Sequence, residues 1–351
     1  MSNLKVNTIN DANGNGNAVL YGVAAPANSM GFRNRIINGD MRIDQRNAGA
    51  SVTPTASVYT LDRWLAALTQ ASKFSVEQTV TGVAAPVGFT DYLAITSSSA
   101  YSVAAGDFFL IRQYIEGFNF ADLAWGTASA QSITLSFWVR SSLTGTFGGS
   151  LQNSAENRSY PFTYTISAAN TWEQKSITIA GDTSGTWIGS TNGVGLRIAL
   201  GLGVGSTYNG TAGAWAGADY RGATGATSVV GTSGATFYIT GVQLEAGTVA
   251  SPFERRDYGR ELMMCQRYYQ KIAGINSLGY ALTGTAFITS VAFKVTMRAS
   301  PSVTLSAGTQ YNSAGLNTYF ISPDNFGFGT TASLSATTGF TDGSAIAVIE
   351  L

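Results

Sequence analysis

The chain has 351 residues, 20 basic and 20 acidic side chains, no net charge and 41 glycines; only 11% of it is charged, against about 25% in ordinary soluble domains. Histidine is absent and Cys265 is the single cysteine, which excludes Ser-His-Asp and Cys-His catalysis, imidazole metal ligation, an intrachain disulfide and a CxxC site. Five lysines in a charge-balanced chain argue against a nucleic-acid partner, which calls for a basic stripe, and no apolar run is long enough to insert in a membrane.

Residues 1–31 come first and predict a small hairpin, with strands over 4–9 and 18–21 flanking the turn sequence 11–17. Such a unit is too small to fold alone and must dock elsewhere. Residues 1–17 contain no apolar segment of signal-peptide type.

From 32 to 256 the dominant period is two. In 131–140, Ile133, Leu135, Phe137 and Val139 share one face, while Ser132, Thr134, Ser136, Trp138 and Arg140 share the other. The same alternation marks 159–167 and 194–204, and shorter strands are expected over 74–81, 92–97, 108–116, 172–180 and 236–245. Opposite the apolar face of 194–204 lies a bare strip that includes Gly195, Gly201 and Gly203, which calls for close approach by another backbone or a large group. Strands without intervening helices predict an all-β fold, an antiparallel jelly-roll sandwich. The stretch 205–235 reads as a long loop.

Residues 257–273 predict a helical connector. Tyr258, Leu262, Cys265, Tyr269 and Ile272 recur at four-three-four-three spacing, which is heptad spacing over two heptads. Two readings stay open: a stripe packed on its own sandwich, or a three-fold seam between chains. After 274 the sequence returns to strand signals at 287–297, 301–305, 318–321 and 345–351. Only Lys294, Arg298, Asp324, Asp342 and Glu350 carry charge between 274 and 351. A C-terminal β domain this small and neutral hides its apolar surface best by associating with copies of itself.

Several motifs carry a family resemblance. They are Asn34-Arg35-Ile36-Ile37-Asn38-Gly39-Asp40-Met41-Arg42-Ile43-Asp44-Gln45-Arg46-Asn47, Tyr59-Thr60-Leu61-Asp62-Arg63-Trp64 and Ser136-Phe137-Trp138-Val139-Arg140. Val242-Gln243-Leu244-Glu245-Ala246-Gly247, Ser251-Pro252-Phe253-Glu254-Arg255-Arg256 and Cys265-Gln266-Arg267-Tyr268-Tyr269 follow. Together the set resembles bacteriophage and prophage tail-fibre-type virion proteins with a jelly roll similar to carbohydrate-binding modules. The opening Leu4-Lys5-Val6-Asn7-Thr8-Ile9 is similar to the start of fibre proteins of cyanobacterial and marine phages. The resemblance covers about 1–272 by sequence position; 274–351 resembles no family.

The resemblance implies a homotrimer, made in the bacterial host cytoplasm and located in the virion. Residues 1–31 would attach it to another virion structural protein. Its role would be structural, not enzymatic and without cofactor, with host-surface glycan as a further partner. A capsid, head-fibre or baseplate component without receptor role is the first alternative; a polysaccharide depolymerase is the second. The latter needs two carboxylates across a cleft, and Glu173, Asp182 and Asp219 are candidates whose spacing does not pair them.

For glycan binding, aromatic rings near small polar donors are the relevant signal. Trp138 on a polar strand face, Trp215 and Tyr220 in the glycine-rich loop, and Tyr311 and Tyr319 in turn-rich C-terminal sequence fit it. Each ring has a second reading, as packing under a loop or at a subunit seam. The charge clusters around Arg33–Arg46 by position and Glu254–Glu261 by position would meet in ion pairs if the first and last strands are neighbours. No EF-hand-like string occurs, and Asp182 within Gly181-Asp182-Thr183 reads as a turn residue.

Overall fold

The computed structural model describes residues 33–351; the hairpin expected over 1–31 lies outside the described residues. Among the described residues the fold is all-β, its four larger sheets antiparallel and one two-stranded ladder parallel, with one short α-helix.

The larger part is a two-sheet sandwich. Its strands in chain order are β1 (Val58–Leu61), β2 (Trp64–Leu68), β3 (Phe74–Gln78), β4 (Leu93–Ser97), β5 (Phe108–Glu116) and β6 (Ile133–Ser141). β7 (Gly145–Gln152), β8 (Ser159–Ile166), β9 (Glu173–Ile179) and β10 (Val194–Val204) follow, then the two-residue β11 (Asn209–Gly210) and β12 (Gly222–Ala223), and finally β13 (Thr236–Ala246). One sheet has the order β1-β2-β5-β10-β7-β8 and the other β3-β4-β13-β6-β9. This is the jelly-roll arrangement expected of strands that alternate inward apolar and outward polar residues.

The inner faces supply the core. Phe109, Ile111, Ile198 and Leu200 from the first sheet meet Ile95, Leu135, Phe137, Phe237 and Ile239 from the second, all buried in one cluster. β7 escapes a sequence reading because its glycines, Gly145, Gly148 and Gly149, blank out the period-two signal; β1 and β2 are too short to show one. The bare strip of β10 is filled by backbone and small side chains. A Cβ at Gly195 would lie 2.9 Å from Gly117 Cα, and one at Gly203 would lie 2.7 Å from Val230 Cγ2. The loop 205–235 lies as a strap on the outer side of the first sheet, held by Ser150 Oγ donating to Tyr220 O at 2.6 Å and Ser159 Oγ donating to Ala218 O at 2.7 Å.

The two charge clusters meet, and they do so mainly through backbone. Glu254 Oε2 accepts from the N–H groups of Arg33 and Asn34, Glu261 Oε1 accepts from Asn38 N–H, and Arg256 donates to Ile36 O and pairs with Glu261. The close spacing follows from Arg35 N–H bonding Leu244 O on β13.

The helix corrects the sequence reading. α1 runs only over Tyr258–Gln266, with Asp257 as N-cap accepting from Arg260 N–H at 2.9 Å. Its chain then turns into a strand, so the five heptad-spaced residues never share one helix. Tyr258 is exposed, Leu262 is half-buried, and Cys265 is fully buried against Ile37, Ile43 and Tyr268 of its own chain. Burial pushes the Cys265 thiol up, well above its ordinary value. Tyr269 and Ile272 lie on the following strand, opposite Val348 and Ala345. A nine-residue helix is also too short to stand as a neck.

The C-terminal β unit therefore begins at Tyr269, not at 274. It contains β14 (Tyr269–Ala281), β15 (Ala286–Ala292), β16 (Ser302–Ser306), β17 (Thr309–Tyr311), β18 (Ser313–Ile321), β19 (Asn325–Ala332) and β20 (Ala336–Val348). One sheet has the order β14-β20-β16, with β17 also on β20; a second has the order β15-β19-β18. The expected strand over 287–297 stops at Ala292, after which Phe293 and Met297 turn into the small core with Phe326, Phe328 and Phe340.

One carboxylate ties the unit to the sandwich. Glu350, just past β20, pairs with both Arg46 and the fully buried Arg63, whose guanidinium lies 3.5 Å from the Tyr268 ring centroid. Beside it, Asp62 accepts from Gln45 N–H and Gln45 Nε2, each at 2.7 Å. Burial raises the Asp62 carboxyl to about 6, Arg46 and the Gln45 bonds notwithstanding.

Candidate functional site

Three segments far apart in sequence come together around a cleft of about 410 Å³. Ile37 comes from the chain before β1, Glu116, Phe118 and Asn119 from the end of β5, and Arg260, Met264, Arg267 and Tyr268 from α1 and the turn after it. The volume falls in the range of small-molecule and sugar-ring sites.

Phe118 is exposed by more than half, at 56%, yet its backbone is fixed. Its N–H donates to Thr191 O at 2.8 Å, and Gly117 N–H donates to Gly193 O at 2.9 Å. Only glycine fits at 117, because a Cβ there would sit 2.3 Å from Gly189 O. From the other side Arg35 donates to Asn119 O at 2.7 Å and grips both oxygens of Asp122 at 2.7 Å. The loop 189–193 is itself anchored by the C-terminal unit: Asn192 Nδ2 donates to Arg298 O at 2.8 Å, and Arg298 Nη1 donates back to Asn192 O at 3.0 Å. An apolar side chain is thus left more than half exposed on a turn pinned by backbone hydrogen bonds, where its uncovered surface adds nothing to the hydrophobic stabilisation of the fold.

The polar wall is equally built. Glu116, 2% exposed, accepts Arg267 Nε and Nη2 at 3.0 Å each, the fork-on-carboxylate geometry of a strong pair. Burial disfavours the Arg267 charge, but the Glu116 bonds outweigh it and hold the guanidinium proton above its ordinary value. Burial likewise pushes the Tyr268 phenol up. Arg260 stands on the exposed side of α1; among the described residues its side chain enters no ion pair or hydrogen bond. Among the described residues the cleft holds one carboxylate, Glu116, already committed to Arg267, and no pair of carboxylates faces across it.

A second polar cluster lies on the outer side of the first sheet. Arg112 is 4% exposed, and among the described residues its Nε and Nη2 have no hydrogen-bond partner. Burial lowers its proton affinity. Arg221 of the strap lies 4.4 Å from the ring centroids of Phe108 and Tyr208 and pairs with Glu156 and Asp219. The crevice beside it, between Gly148, Gly203 and Ala226, measures only about 10 Å³, the space of a single water.

The rings singled out in the sequence do not converge. Trp138 is half-buried on the outer side of β6, opposite Thr240 and Gln174. Trp215 takes the packing reading: it lies 5.1 Å from Trp125, 5.6 Å from Trp187 and 5.2 Å from Tyr160, and its Nε1 donates to Ala180 O at 2.8 Å. Tyr220 closes over Gly210, where a Cβ would meet its ring at 2.3 Å. Tyr311 and Tyr319 are exposed, on β17 and β18 of the C-terminal unit. None of the five lines the cleft.

The three candidate carboxylates are also apart. Asp182 is gripped by Arg158 at 2.8 and 2.6 Å, Glu173 pairs with Lys175, and Asp219 pairs with Arg221. Among the described residues no three acidic or thiol side chains gather around one point, and no helix is long and apolar enough to cross a membrane. The sequence reading assigns none of the lining residues, Phe118, Arg260 and Arg267 included, to a site. The one local signal is at Phe118, an aromatic set between Gly117 and Asn119 directly after a strand.

No family model and no curated protein matches the chain. Among solved structures it is similar to the enzymatically active domain of tailspike protein 4 of bacteriophage CBA120, at 11% identity and TM-score 0.29, covering 53% of this chain and 19% of that one. It is similar to TmCBM61 in complex with β-1,4-galactotriose, at 9% identity and TM-score 0.31, covering 62% of this chain and 100% of that one. It is also similar to a family 11 carbohydrate-binding module of Clostridium thermocellum in complex with a β-1,3-1,4-mixed-linked tetrasaccharide, at 10% identity and TM-score 0.28, covering 56% and 97%. These scores are low, and the tailspike likeness spans less than a fifth of that chain, so the chain's own geometry is what bears on function.

Proposed function

We propose that this chain is a non-catalytic structural protein of a phage virion, of tail-fibre type, whose jelly roll binds a host-surface glycan in the cleft under Phe118. The observation that carries the glycan reading is the exposed, backbone-pinned Phe118 ring above a cleft edged by an amide and two guanidinium groups. A sugar ring has one apolar face bordered by hydroxyls, which matches a ring plus hydrogen-bonding edges. The non-catalytic reading is supported by the commitment of Glu116 to Arg267, since glycoside hydrolysis asks for an uncommitted proton donor and a second carboxylate.

The homotrimer and virion parts of the proposal draw on the motif resemblance and on the C-terminal unit. There Leu278, Tyr280, Leu282, Phe320 and Leu334 stand exposed on a surface with almost no charge, as expected of a face met by sister chains. Attachment through residues 1–31 completes the proposal.

Titration calorimetry against a panel of neutral and acidic oligosaccharides tests the glycan reading. Binding that drops about tenfold or more in Phe118→Ala, the loss of one ring contact, with an unchanged melting curve, supports it. No binding by the wild-type chain overturns it. Sedimentation and antibody labelling of whole particles test the trimer and the virion site.

A further inference from the structure

The cleft has an unbalanced charge. Glu116 and Arg267 cancel as a bidentate pair, which leaves Arg260 as the extra cation on the lining, with no acidic partner among the described residues. Of the other charged side chains nearby, Arg35 holds Asp122, Glu261 pairs with Arg256 and Arg63 pairs with Glu350, while the Asp257 carboxylate caps α1 by accepting from the Arg260 backbone N–H. The Glu116 pair uses Nε and Nη2 of Arg267 and leaves Nη1 outside it. A neutral sugar would gain nothing from that surplus, whereas a carboxylate would meet a planar fork of matching geometry.

We propose that the cleft selects an acidic glycan, with a sugar carboxylate received by Arg260 while the apolar face of the same or the adjoining ring rests on Phe118. This rests on the glycan reading above and narrows it to a chemical class. Arg260 is well placed for selectivity without a stability cost, because it is on the exposed side of α1 and only its backbone N–H serves the helix cap. Phe118 would set affinity for any sugar, and Arg260 would set the preference for charge.

The test uses the full chain and three probes of equal length: an oligogalacturonate, its methyl ester, and the neutral oligogalactoside. Calorimetry at two salt concentrations reads the outcome. The expected result is that the acid binds at least about tenfold tighter than its ester, as one charge-assisted contact provides, and that the gap narrows in high salt. Arg260→Gln should bring acid and ester to the same affinity while leaving the melting curve alone, and Arg260→Lys should keep part of the preference. Equal binding of acid and ester by the wild type, or a preference that survives Arg260→Gln, overturns the charge assignment and leaves the glycan reading standing. Failure of all three probes, extended to glucuronate and mannuronate oligomers, overturns both.

Discussion

The sandwich and the C-terminal unit solve the same problem in opposite ways. In the sandwich two sheets cover each other, and aromatic residues as large as Phe147, Phe162 and Phe237 reach near-zero exposure. In the C-terminal unit the buried cluster is small, and Tyr280, Leu282 and Leu334 are each more than half exposed. Small units bury a smaller fraction of their surface, so the second region depends on something beyond its own core: the Glu350 junction on one side and, as proposed, sister chains on the other.

The contrast has measurable edges. The largest effect is expected in the sandwich: Phe237→Ala should cost about 3–5 kcal/mol through lost burial and a residual cavity, read by chemical denaturation. A loss below about 1 kcal/mol would mean that this core is not as closed as its burial indicates. Next comes the tie between the regions. Glu350→Gln leaves Arg46 and Arg63 without their counter-charge, and stranding buried charge costs about 3 kcal/mol or more. Calorimetry should show one transition splitting into two; a single unshifted transition would break the assignment of Glu350 as the tie.

Asp62 gives a pH-resolved version of the same test. Its folded value, raised to about 6 from 3.8, means that the folded state keeps a proton the unfolded state has released. The associated penalty is absent below pH 3.8, grows between there and about 6, and is constant above. Relative to wild type, Asp62→Asn should therefore gain up to about 3 kcal/mol across that window; a flat difference would refute the raised value. The smallest effect on the monomer is expected at the C-terminal surface. Tyr280→Ser should change unfolding free energy by less than about 0.5 kcal/mol while weakening self-association in sedimentation. A large loss of monomer stability with unchanged association would reverse the contrast.

How much of this was legible in sequence depended on how local the signal is. β10 matches its expected bounds because alternation over eleven residues admits only one reading, and β5 matches because its apolar-rich stretch is nine residues long and bounded by turn sequence. β14 was hidden: Tyr269 and Ile272 continue a heptad spacing, but β20 claims them by pairing Tyr269 with Val348 and Ile272 with Ala345. A partner so distant in sequence leaves no local mark, and tertiary pairing overrides the weaker helical preference. The cleft was hidden for the same reason, since Ile37, Phe118 and Arg260 have no shared periodicity. Trp215 shows the converse case: of the two readings the sequence leaves open for a tryptophan in a glycine-rich loop, the fold takes the packed one, against Trp125 and Trp187.

That last contact makes the protein its own optical instrument. Trp125, Trp187 and Trp215 lie edge to face within 4.8–5.6 Å, close enough for their excited states to couple. The coupled indoles should give a near-ultraviolet dichroism signal that loses the Trp215 contribution, and keeps that of the Trp125–Trp187 pair, when the strap carrying Trp215 lifts. Seating of the strap on the sandwich can then be followed in real time, without any label.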